Sequence, residues 1–145
     1  MAEAAGTTGP HLDVVARMGF RAGNVVQELG WDEDCDDDIR IAIEAATGTE
    51  RVGDEHDEVA DVVLLWWRDG DGDLVDGLVD SLTDLVDGGA VWLLTPKVGR
   101  DGFVEATDVA DAAPTAGLTT TTTVPLTDQW SGIKLVSPKA ARARR

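Results

Sequence analysis

A chain of 145 residues, 43% of them hydrophobic, is long enough for one domain with a substantial core, and it contains no apolar run of the roughly 18 residues that would span a membrane. Its net charge of −16 repels nucleic-acid phosphate and anionic lipid, which excludes both as partners. The single Cys35 excludes an internal disulfide framework and fits a reducing cytoplasm.

Residues 1–10 contain an acid, no base and no apolar h-region, so they are expected to be a disordered leader rather than a signal peptide. One α/β domain is expected over residues 11–138. Residues 11–18 carry Leu12, Val15 and Ala16 at helical spacing and meet Gly19, a natural helix end. After a turn at 20–23, NVVQEL (24–29) reads as the first strand. The acidic loop WDEDCDDD (31–38) then leads into a helix whose buried face is Ile39, Ala42, Ile43 and Ala46, capped by Gly48. Residues 50–58 are too polar for a core strand, although Arg51 and Val52 suit a short edge pairing.

The centre of the chain is residues 59–97. VADVVLLWW (59–67) and AVWLLTPK (90–97) are near-continuous apolar runs, as strands covered on both faces require. Between them Leu74, Val75, Leu78, Val79, Leu82, Leu85 and Val86 predict an amphipathic helix through residue 87, followed by a Gly88-Gly89 turn. A helix of that kind is the crossover that two parallel strands need. Residues 105–113 predict a further helix, with Pro114 and Gly117 marking its exit. The β-branched LTTTTTVPL (118–126) predicts a half-exposed strand, and residues 133–136 an antiparallel return strand. Residues 139–145 read as a basic tail.

The acids are concentrated. From Glu28 to Asp87 there are 21 acids against three bases (Arg40, Arg51 and Arg68), a net of −18. Host-wide acidity explains this most simply, and docking of a basic partner is the functional alternative. Asp69, Asp71, Asp73 and Asp80 match positions 1, 3, 5 and 12 of a calcium loop. Leu74 stands where that loop needs glycine, however, so helix N-terminal acids are the simpler reading and no metal site is assigned. Cys35 sits near a helix start, which lowers a thiol pKa, but Asp34, Asp36, Asp37 and Asp38 disfavour the thiolate. His11 and His56 have no ligand spacing and are expected at the surface. No nucleophile, acid and base constellation is apparent, so no catalytic residue is assigned.

Two resemblances organise the rest. FRAGNVVQELGW (20–31), VADVVLLWW, VDGGAVWLLTPK and TTTTTVPLTDQWSGIKLV resemble the first, fourth, fifth and closing strands of a class I S-adenosylmethionine (SAM) methyltransferase domain. That likeness implies a Rossmann-like three-layer α/β sandwich, its sheet mostly parallel with an antiparallel C-terminal strand pair. The whole chain is also similar to an uncharacterised family of small actinobacterial proteins, through LLWWR (64–68), DGDLVD (71–76), WLLTPKVGRDGFVE (92–105), AAPTAGL (112–118) and WSGIKLVSPK (130–139). In the methyltransferase pattern an acid precedes Gly-x-Gly-x-Gly. Glu28 and Gly30 match it, but Asp32 and Asp34 stand in place of the later glycines, where side chains block a ligand and carboxylates repel the methionine carboxylate. The second strand, whose terminal acid grips the ribose, is lost or very short.

In open α/β sheets ligands bind beyond the carboxyl ends of the strands. Glu28, Gly30, Trp31, Trp67, Arg68, Thr95, Lys97 and Arg100 are therefore the candidate ligand-binding residues, and Lys97 with Arg100 makes a local positive spot. Trp31, Trp66, Trp67 and Trp92 all lie in or just after strands; core packing accounts for them, with a pocket as the alternative. The expectation is a non-catalytic cytoplasmic binding or regulatory module without a cofactor. An enzyme or sensor holding SAM or another small ligand through Glu28, Arg68 and Lys97 is the alternative, as is an acidic module that meets a basic protein partner.

Overall fold

A computed structural model of the chain describes residues 12–53 and 59–137. The expectations for the leader, His11, His56 and the basic tail lie outside the described residues. The elements in order are α1 (Leu12–Met18), β1 (Val26–Leu29), α2 (Asp37–Thr47), β2 (Ala60–Trp66), α3 (Leu74–Ser81), β3 (Leu85–Pro96), α4 (Ala106–Thr115), β4 (Thr119–Pro125) and β5 (Trp130–Val136).

The strands form one sheet in the order β1-β2-β3-β5-β4. β1, β2 and β3 run parallel, and β5 is antiparallel to both β3 and β4. The sheet is therefore mostly parallel with an antiparallel C-terminal pair, as expected. Beyond β1 a single parallel bridge, Gln27 to Val52, is all that pairs on that edge among the described residues. It matches the short edge pairing expected at Arg51-Val52.

Strand alternation explains the three layers. Leu64, Trp66, Trp92 and Leu94 project to one face and pack with Val15, Met18, Ile39, Ala42 and Ile43 of α1 and α2. Val63, Leu65, Val91, Leu93 and Leu135 project to the other and pack with Leu78 of α3 and Val109, Ala112 and Ala113 of α4. Both faces of β2 and β3 are dry, which is why their sequences are continuous apolar runs. Trp66 and Trp67 accordingly enter opposite layers, Trp66 fully buried and Trp67 half-buried.

α2 begins where the Asp36 side chain accepts the Asp38 and Ile39 amides, and it ends at Gly48 in the left-handed conformation. Asp73 caps α3 in the same way, accepting from the Val75 amide at 2.8 Å. That is the helix-terminal role weighed above for this acid.

The helix expected through residue 87 stops at Ser81, and β3 starts at Leu85. Leu85 and Val86 fit both a helical and a strand period, and here pairing with β2 decides between them: Leu85 lies opposite Ala60. Gly88-Gly89 is not a turn but part of β3, at an irregularity in its register with β2. Gly88 has φ +78°, and a Cβ on Gly89 would lie 2.9 Å from the Asp61 carbonyl oxygen, so the close strand approach needs glycine there. The five threonines of β4 are all exposed at the sheet edge, more so than a half-exposed strand. Among the described residues no helix is long and apolar enough to cross a membrane.

Candidate functional site

β1 is only four residues long, and its alternation divides the site in two. Val26 and Glu28 project toward α2, while Gln27 and Leu29 project toward α3. The Glu28 carboxylate accepts two hydrogen bonds from Arg40, from Nε at 2.8 Å and Nη2 at 2.9 Å. It accepts a third from Arg51 Nε at 3.2 Å and a fourth from the indole Nε1 of Trp66 at 2.8 Å. Its side chain is 8% exposed. Arg40 comes from α2 and Arg51 from the link after it, whose Val52 pairs beside Gln27 of β1. Burial pulls the Arg40 guanidinium toward release of its proton, but hydrogen bonds to Glu28 and Asp37 outweigh that and hold its pKa above the usual value.

The loop after β1 is held from the opposite direction by Arg68, the second residue beyond β2. Its guanidinium donates to the Gly30 carbonyl oxygen at 2.8 Å and to both Asp34 carboxylate oxygens, at 2.6 and 3.0 Å. It also reaches Asp71 at 3.4 Å and lies 5.5 Å from the centroid of the Trp130 ring. Trp130 returns from β5 to donate its indole Nε1 to the Asp34 carbonyl oxygen at 3.3 Å, and it meets Trp66 edge-on with ring centroids 4.8 Å apart. Hydrogen bonding from Arg68 holds the Asp34 carboxyl below the usual carboxylate range. Burial pushes the Cys35 thiol up to about 11, against the opposing pull of the Asp32 amide and of Arg68, which donates to Sγ at 3.2 Å. A thiol so shifted is protonated at neutral pH and a poor nucleophile.

Gly30 belongs to this packing. It has φ +78°, and a Cβ there would overlap the Trp66 carbonyl oxygen, so its missing side chain admits the neighbouring strand. The Trp67 ring lies against α3 at Gly77, where a Cβ would overlap it.

Between β1 and α3 lies a cavity of about 550 Å³. Of the residues expected at the strand ends, Gly30, Trp31, Trp67 and Arg68 line it. The other four lie elsewhere. Glu28 is on the opposite face of the sheet, and Thr95 is buried within β3. Lys97 bonds Gln129 through its backbone, and Arg100 donates to the Gln129 carbonyl oxygen beside Trp130. Residues outside those candidates complete the lining, chief among them Gln27, Leu29, Leu65 and the carboxylates Asp32, Asp80 and Asp84. The available signal was the position of Gln27 and Leu29, which alternate with Glu28 on a strand whose outer side has no full neighbour.

A family model described as a protein of unknown function, DUF3052, matches residues 15–139. The chain belongs to the DUF3052 family. An uncharacterized protein of Mycobacterium tuberculosis, Rv2239c, is 52% identical over 129 residues, covering 89% of this chain and 81% of its own. Mb2263c of Mycobacterium bovis matches to the same extent. Among solved structures, this DUF3052 chain is similar to the pyocyanin biosynthetic protein PhzM (TM-score 0.63, 14% identity) over 88% of its own length and 54%, about half, of PhzM. It is also similar to the mitomycin 7-O-methyltransferase MmcR (TM-score 0.64, 12% identity), covering 88% of this chain and 52% of that one. The precorrin-6y C5,15-methyltransferase of Geobacter metallireducens matches with TM-score 0.60 and 8% identity, over 87% and 88% of the two chains. At these identities the likeness establishes the fold of the DUF3052 domain, a methyltransferase-like Rossmann sandwich.

Proposed function

We propose that this DUF3052 protein is a non-catalytic binding or regulatory module of the cytoplasm, built on a methyltransferase-like scaffold whose cofactor loop is closed by the chain's own side chains. The observation that carries this reading is the Arg68 guanidinium on Gly30 and Asp34. In the resembled fold the glycines of the loop after the first strand let the backbone approach the ligand. Here the Gly30 carbonyl and the Asp34 carboxylate are engaged by Arg68 just beyond β2, the loop's first glycine is needed for contact with Trp66, and the acid before it is saturated by Arg40, Arg51 and Trp66. Two carboxylates at Asp32 and Asp34 add repulsion toward a methionine carboxylate. SAM does not fit such a loop.

A thermal-shift titration tests this. A ligand at a hundred times its dissociation constant stabilises the native state by about 2.7 kcal/mol. SAM and S-adenosylhomocysteine are expected to leave the midpoint unmoved. A raised midpoint, or transfer of a methyl group from SAM to any acceptor, would overturn the proposal.

A further inference from the structure

The cavity between β1 and α3 has a consistent chemistry. Leu29, Leu65, Trp31 and Trp67 supply apolar and aromatic wall. Asp32, Asp71, Asp80 and Asp84 supply carboxylates, and the one base in the lining, Arg68, is already engaged by Asp34 and the Gly30 carbonyl. Gln27, only 4% exposed, lines the same space. Its Nε2 donates to the Gly53 carbonyl oxygen at 3.1 Å and reaches Asp84 at 3.5 Å, and no donor among the described residues meets its Oε1. This buried side chain lines a space whose charged groups, Arg68 apart, are carboxylates. Trp31 already holds a cation, with the Arg40 guanidinium 5.2 Å from its ring centroid. The volume falls within the roughly 300–1,000 Å³ of small-molecule sites.

We infer that this cavity binds an organic cation, an ammonium or guanidinium head on a compact apolar body. The body packs on Leu29, Leu65 and Trp67, and the head meets the carboxylates and the acceptor of Gln27. Nucleotides and carboxylate ligands are repelled by the same groups. The inference rests on the binding-module reading and names the class of its ligand.

Three compounds of one shape and different charge test it: phenethylammonium, 2-phenylethanol and phenylacetate, titrated by calorimetry and tryptophan fluorescence. Phenethylammonium is expected to bind in the millimolar range or better, the alcohol about tenfold more weakly, and phenylacetate not at all. Asp80→Asn, at an exposed helical position, is expected to weaken cation binding about threefold, and Asp80→Asn with Asp84→Asn about tenfold. Lys97→Ala, outside the cavity, is expected to change nothing. Equal affinity for the cation and the alcohol, silence of the cation at millimolar concentration, or indifference to both Asp substitutions overturns the inference. None of these results bears on SAM, whose binding or turnover sinks the non-catalytic reading separately.

Discussion

Glu28→Gln removes one charge from the most heavily bonded side chain of the site while keeping its shape. The carboxylate accepts four hydrogen bonds, and its side chain is 8% exposed against 19% and 18% for Arg40 and Arg51. A glutamine keeps one acceptor oxygen but turns an NH₂ toward guanidinium donors, so at least one arginine loses a hydrogen bond at this position, while Asp37 still pairs with Arg40 and Glu44 with Arg51. Removing one member of a buried pair costs about 3–5 kcal/mol, and the residual exposure of both arginines argues for the lower end, about 3 kcal/mol. With a urea m-value of about 2 kcal/mol/M, the unfolding midpoint falls by about 1.5 M. A double-mutant cycle with Arg40→Met should return a coupling of about 2 kcal/mol. A Glu28→Gln protein within about 0.5 kcal/mol of the parent would refute the claim that this acid anchors α2 to the sheet.

Gly30→Ala meets both a left-handed backbone and the Trp66 carbonyl, and should cost roughly 2–4 kcal/mol in urea unfolding. Gly48→Ala, with φ +75° and nothing within 4 Å, should cost only about 1 kcal/mol; equal costs would show that the contact with Trp66 is unimportant. At alkaline pH the folded Cys35 thiol, pushed from its ordinary value of 9.0 to about 11, keeps its proton longer than the unfolded one. Stability is thus full below pH 9.0 and falls as pH rises toward 11, by about 1 kcal/mol once half-exposure is discounted; Cys35→Ser should flatten that limb. The sign is opposite at acid pH. Asp34, held low by Arg68, contributes stability above its ordinary value of 3.8 that is lost as pH falls below it, and Asp34→Asn should abolish this loss in an acid titration of the unfolding midpoint.

Much of the fold could be read directly, because its strongest signals are local. The apolar runs of β2 and β3 and the Ile39, Ala42, Ile43 face of α2 each report their own burial. The end of α3 could not be read, since Leu85 and Val86 satisfy two periods at once and only β2 chooses between them. The site was half readable. Chain order places Gly30, Trp31, Trp67 and Arg68 at strand ends, but it does not say that Arg68 turns back 34 residues to Asp34 or that Trp130 reaches the same residue from 96 away. One clue was present in the charges. The three bases among the 21 acids of residues 28–87 are the three that hold Glu28 and Asp34, so a rare arginine in an acidic stretch marks a carboxylate held in an ion pair, buried at Glu28 and exposed at Asp34.

The strand order also bears on the timing of folding during synthesis. β3 sits at the middle of the sheet, yet one of its two neighbours, β5, is formed by residues 130–136. A ribosome that has released β1 through α4 has exposed three parallel strands with one flank of β3 bare, and Trp66 still lacks the Trp130 ring that closes over it. An open hydrophobic edge of that kind is where nascent chains stick to one another. The closing hairpin of β4 and β5 therefore completes the sheet and ends that exposure in a single late step. Premature stop codons anywhere before residue 130 should yield aggregates rather than shortened soluble domains.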